Sequence, residues 1–142
     1  MAIIKRSQTY TQTAITPTVY SDLTTSFNVH PQKMDLYVDV NEEAVKQSIK
    51  NILMTDRGER LFNPILGSSI RAVLFEDISP QSEHLLKAYV ESAIENFEPR
   101  ANLIDIVATP MPDDNAYSVT IVFSIINSTE PVVLELLFDR IR

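Results

Sequence analysis

The sequence predicts an α+β domain: an N-terminal extended arm, then three helices packed on a C-terminal antiparallel meander of about three strands. Three observations predict it. Apolar residues recur at helical spacing over 45–53 and 85–97, they alternate with polar ones from 103 to 138, and the first 34 residues keep neither rhythm. A length of 142 residues suits one core, and 44% hydrophobic against 22% charged residues is a globular balance.

Residues 1–34 form the arm and residues 35–142 the domain. Ten of the first 34 residues are Ser or Thr, and Pro17 and Pro31 oppose a helix. β-branched Thr and Val, with Tyr10 and Tyr20, suit an extended segment. Such an arm is either an untethered leader or a strand that orders against a neighbouring subunit.

Order begins near Asp35, where Leu36, Val38 and Val40 alternate with Tyr37 and Asp39. Asn41 is placed to cap a helix whose first turn carries Glu42 and Glu43, facing the positive end of its dipole. Val45, Ile49, Ile52 and Leu53 make one stripe of that helix, which ends near Met54. Asp56-Arg57-Gly58-Glu59 reads as a turn, and Pro64 stops any local helix at the residue before it. After a turn at Gly67, Ser68 or Ser69 caps a short helix through Ile70, Val73, Leu74 and Phe75.

The third helix, from Pro80 to Phe97, has Ser79 as N-cap and proline at its first position, where a missing N–H costs nothing. Leu85, Leu86, Tyr89, Val90, Ala93, Ile94 and Phe97 keep the 3.6 period, Glu83 and Lys87 form an i,i+4 pair, and Pro99 ends the helix. Strands follow over 103–109, 116–126 and 132–138. The first puts Ile104, Ile106 and Ala108 on one face. The second puts Tyr117, Val119, Ile121, Phe123 and Ile125 there, and the last Val132, Leu134, Leu136 and Phe138. The prolines of Pro110-Met111-Pro112 mark the first of the two turns between them.

Composition narrows function. The chain carries −7 overall: residues 1–34 hold three basic residues against one acidic, the remainder nine against eighteen. An acidic body repels phosphate backbones, so protein partners are expected and nucleic acid is not. No apolar run reaches membrane-spanning length, and no apolar segment follows Lys5 and Arg6 as a secretory signal requires. Without cysteine there is no disulfide framework, thiolate nucleophile or Cys-based zinc site. His30 and His84 lack a second histidine at i+3 or i+4, so neither a metal nor a cofactor is expected. Two glycines nine residues apart cannot build a phosphate loop, and no Gly-x-Ser-x-Gly elbow exists.

Carboxylates are the remaining route to catalysis. Glu76-Asp77 and Glu98 could be brought together as acid and base in glycoside cleavage, which needs one carboxyl with a raised pKa and would use Glu76 or Glu98. Among nineteen acidic residues, charge at helix ends is the simpler reading. Two stretches stand out instead. One runs from Thr55 to Pro64, continuing through Gly67 to Leu74-Phe75-Glu76; the other is Phe97-Glu98-Pro99-Arg100. Pro99 makes a rigid corner there, from which Glu98 and Arg100 either pin the fold or clamp a partner.

These residues also resemble a family. Asp35-Leu36, Ala44-Val45-Lys46-Gln47-Ser48-Ile49, Thr55…Gly58-Glu59-Arg60…Phe62…Pro64…Gly67-Ser68, Leu74-Phe75-Glu76 and Glu98-Pro99-Arg100 follow in order and spacing over residues 35–142. Together they resemble the baseplate wedge and sheath-initiator family of contractile-tailed phages, with relatives in R-type pyocins and type VI secretion systems. The resemblance implies a non-enzymatic protein of the virion tail baseplate, made in the host cytoplasm and seated around the tail tube. It implies that Glu98, Pro99 and Arg100 grip the core bundle of the wedge proteins. It also implies that a sheet edge accepts extended arms of the tail sheath protein, templating its polymerisation. Val132–Ile141 is the candidate edge, with Leu134, Leu136 and Phe138 as binding residues and Glu135 and Asp139 guarding its polar side. The same family has a lysozyme-like label, the carboxylate alternative already weighed for Glu76 and Glu98.

Overall fold

A computed structural model describes residues 18–126, 128 and 130–140. The expected reading of residues 1–17 as part of the arm, and of Ile141 as part of the edge, lies outside the described residues. The order is β1 (Ser21–Leu23), β2 (Val38–Val40), α1 (Glu42–Met54), α2 (Ile70–Leu74), α3 (Pro80–Phe97), β3 (Ala101–Met111), β4 (Ala116–Ile125) and β5 (Pro131–Asp139). β1 and β2 make a small antiparallel ribbon, and β3, β4 and β5 an antiparallel sheet in that spatial order. The class is the expected α+β, with three helices and a three-stranded meander.

Two layers enclose the core. α3 lies against β3, α1 and α2 pack on α3, and α1 reaches β5. The central strand β4 alternates as expected: Tyr117, Val119, Ile121, Phe123 and Ile125 are all buried. From α1 come Val45, Ile49, Ile52 and Leu53, and from α3 Leu86, Val90, Ala93 and Ile94. Ser79 caps α3 by accepting a bond from the Ser82 N–H at 3.1 Å, and Lys87 meets Glu83 at 2.7 Å.

Several expectations are corrected. β3 carries a bulge: the register passes from Leu103 opposite Phe123 to Asp105 opposite Val122, leaving Ile104 without a partner. The extra residue reverses the side-chain alternation. The inner face is therefore Ala101, Leu103, Ile106 and Ala108, and Ile104 points out at 58% exposure. Phe75 lies beyond α2 and is exposed, because the helix ends at Leu74. Asn41 stands at the N-cap position of α1 with a left-handed φ of 49° and makes no capping bond. Its Oδ1 accepts instead from the backbone N–H groups of Val19 and Tyr20, at 2.8 and 3.3 Å, which ties the ribbon to the helix start. Ser69 stands at the N-cap position of α2 without a side-chain capping bond. The buried Ser68 hydroxyl accepts from the Ile70 N–H at 3.5 Å and donates to the Leu53 carbonyl at 2.8 Å.

Candidate functional site

The corner after α3 is set by its own backbone. The Glu98 N–H still donates to the Ile94 carbonyl at 2.9 Å, closing the last helical turn. Pro99 then excludes a helical conformation for Glu98, whose φ and ψ are −125° and 74°. The Ala101 N–H donates to the Glu98 carbonyl at 3.1 Å, and Ile126 donates to the Arg100 carbonyl at 3.0 Å, so the chain turns directly into the sheet.

The side chains lock around that turn. Glu98 is 2% exposed, and both its oxygens receive the Arg100 guanidinium: Nε to Oε1 at 2.6 Å and Nη2 to Oε2 at 2.9 Å. This is the bidentate fork that only arginine offers. Arg100 Nη1 extends to Asp22 Oδ2 on β1 at 3.1 Å, and the guanidinium carbon lies 5.5 Å from the Tyr20 ring centre. Burial pushes the Glu98 carboxyl up, but hydrogen bonds from Arg100 and Ser48 and the Arg100 charge outweigh it and hold the group below the usual carboxylate range. The bond to Glu98 raises the Arg100 pKa further, against its partial burial.

This geometry bears on the glycosidase alternative. An acid catalyst needs a carboxyl that keeps its proton at neutral pH, and Glu98 is held ionised, buried and fully engaged. Glu76 is exposed just beyond α2. Among the described residues no group of three or more His, Asp or Glu side chains could hold a metal ion, and no helix is long and apolar enough to cross a membrane.

Glu98 and Arg100 therefore meet each other, and Pro99 is the exposed member of the corner. Beside it runs an open groove lined by Glu95, Pro99, Asn102 and Leu103. Sequence reasoning did not link Asp22, Tyr20 and Ser48 to this corner. Asp22 is the one acidic residue among the first 34, but nothing local couples it to a residue 78 positions away.

The second candidate is the sheet border. β5 pairs with β4 on one side and with no described strand on the other. Leu134, Leu136 and Phe138 lie on its inner face: Phe138 is in the core and the two leucines are packed against it. The Arg140 N–H donates to the Asn115 carbonyl at 2.9 Å, so the backbone groups of Arg140 point toward β4. Strand alternation gives Phe138, Leu136, Leu134 and Val132 the same direction. The N–H and C=O groups on the open border consequently belong to Val133, Glu135 and Leu137, whose side chains are exposed. The other border, β3, is interrupted by the Ile104 bulge and by Pro110.

Residues 39–130 match the family described as baseplate wedge protein gp25. The chain is 34% identical over 104 residues to baseplate wedge protein gp25 of Enterobacteria phage T4, covering 70% of this chain and 79% of that protein. A candidate tail lysozyme from Geobacter sulfurreducens shares its structure with a TM-score of 0.67 and 27% identity, over 71% of this chain and 92% of its own. A chain of the anti-feeding prophage baseplate has the same fold, with a TM-score of 0.61 and 20% identity over 84% of each chain. So does a chain of the type VI secretion baseplate complex, at 0.51 and 14%, over 64% of this chain and 88% of that one.

Proposed function

The chain belongs to the baseplate wedge protein gp25 family, and from that membership we propose that it joins the wedge core bundle to the tail sheath and starts sheath polymerisation by strand addition. It is a baseplate wedge protein of a contractile-tailed phage, its place is the virion tail baseplate, and its partners are other baseplate proteins. The finer roles are our reading. The observation that carries them is the one-sided pairing of β5, a regular strand whose outward backbone groups at Val133, Glu135 and Leu137 meet no further strand among the described residues and can take one up. Its bulged counterpart β3 is the poorer template.

The Glu98-Pro99-Arg100 corner is proposed as the seat of the core bundle, next to the tail tube. Glu98 acts there by holding Arg100, while Pro99 and the open side of Arg100 offer the contact. The chain works without catalysis in this reading, as the buried, ionised state of Glu98 supports.

The border test is a proline at Glu135, which removes an outward N–H and leaves the β4 ladder intact. Wedges should still form with this variant while sheath assembly fails. Equal loss of both steps, with the fold unchanged by circular dichroism, would overturn strand addition. For the enzymatic alternative, the pure chain is added to bacterial cell walls and turbidity followed. No clearing is expected, and clearing that Glu98→Gln abolishes would restore the glycosidase.

A further inference from the structure

The stretch between α1 and α2 belongs to neither the corner nor the border, yet it presents the two most exposed large apolar side chains of the described residues, with a third beside them. Phe62 is wholly exposed, Leu61 is 90% exposed and Ile65 71%. Isolated exposed apolar residues are ordinary, but three at one loop tip are a patch that water disfavours.

The loop beneath them is built, not slack. Its neck is closed by bonds from the Ser68 N–H to the Thr55 carbonyl at 2.9 Å and from the Gly58 N–H to the Pro64 carbonyl at 2.8 Å. Turns within it join Asn63 to Arg60 and Leu66 to Asn63, each at 3.2 Å. Gly67 sits at φ +126°, and a Cβ there would come within 2.5 Å of the Thr55 carbonyl oxygen, so the neck closes only around glycine. The tip is thus held in place before any partner arrives, which lowers the entropic cost of binding.

Charge indicates what it meets. In a chain of net charge −7, the tip is flanked by Arg57 and Arg60, both exposed and without an ion-pair partner among the described residues. The nearby acids are engaged: Asp56 pairs with Arg71 at 3.0 Å, and Glu59 accepts the Asp56 N–H at 3.1 Å. We infer that the Leu61–Phe62 tip is a docking knob for another folded baseplate protein, one that offers an apolar pocket with a carboxylate rim. The apolar pair would fill the pocket and the two arginines would set its orientation.

The test replaces Phe62 with photoreactive benzoylphenylalanine, irradiates assembled tails and maps the adduct by mass spectrometry. The expected adduct lies on a different baseplate protein, among apolar residues bordered by Asp or Glu. An adduct on residues 1–17 of this chain, on a second copy, or none at all would overturn the inference. The same probe at Leu137 reports the sheet border separately, so either proposal can fail alone. In parallel, the double variant Leu61→Asp, Phe62→Asp should melt as the parent does but enter tails about tenfold less well. Normal incorporation would overturn the inference. So would Phe62-dependent sedimentation of the pure chain with phosphatidylglycerol vesicles, because the knob would then serve a lipid surface.

Discussion

A carboxylate withdrawn from water needs its charge answered close by, and Glu98 has that answer two residues away in its own chain. Taking it away leaves a buried, uncompensated charge. Breaking such a pair costs about 3–5 kcal/mol, and because Arg100 is partly open to solvent we expect about 3 kcal/mol for Arg100→Ala, read by urea unfolding. Arg100→Lys should recover only part of this, since an ammonium group cannot reproduce the fork. The pair also predicts acid sensitivity. Glu98 has a folded-state pKa below its ordinary 4.5, so its contribution is complete above that value and is lost as pH falls through the lower folded value. In Glu98→Gln the stability curve should lose that part of its acid limb. A second residue makes the opposite case. The Tyr117 hydroxyl is buried with no hydrogen-bond partner among the described residues, so Tyr117→Phe should be neutral or stabilise by up to about 1 kcal/mol in thermal melts. The tripeptide itself was legible in the sequence, because a proline after a helix defines a corner. Whether its charges faced in or out was not, since burial of Glu98 depends on Ser48 and on the distant Asp22 and Tyr20.

Among the elements, the two sides of β5 are proposed to carry different duties, and prolines separate them. At Leu136 a proline would remove an N–H directed at β4 and disturb a side chain packed on the core, so that variant should unfold. At Glu135 the melting temperature should change little while sheath addition is lost. If Leu136→Pro instead remains as stable as Glu135→Pro, the direction assigned to the ladder is wrong. The long periodic elements were legible because their patterns exceed any local disturbance: α1 buries the stripe the spacing indicates and β4 every second residue, while α3 buries Leu86, Val90, Ala93 and Ile94 of its stripe, half-buries Tyr89 and Phe97, and leaves Leu85 exposed. Short-range departures were not. The Ile104 bulge breaks alternation for one residue, and no turn residue announces it. Asn41 has the right side chain for a cap and spends it on Val19 and Tyr20, a choice made by tertiary contact.

For the molecule as a whole, the arm and the domain are proposed to divide near residue 34. The described part of the arm forms a ribbon with residues 38–40, held to the body through Asn41, Tyr20 and the Asp22–Arg100 pair. A chain trimmed to residues 35–142 keeps every buried residue of the core and loses only Tyr20 of those packed against it, so it should fold, losing about 1–2 kcal/mol with those contacts. Circular dichroism and a thermal melt would check this, and loss of helical signal would show that the ribbon is integral to the domain. The interruption at Ile104 has a consequence of its own. A flat sheet with two clean sides could stack copy upon copy into an endless fibre. With one side kinked at Ile104 and lacking an N–H at Pro110, each molecule presents one regular border, which disfavours edge-to-edge growth in both directions.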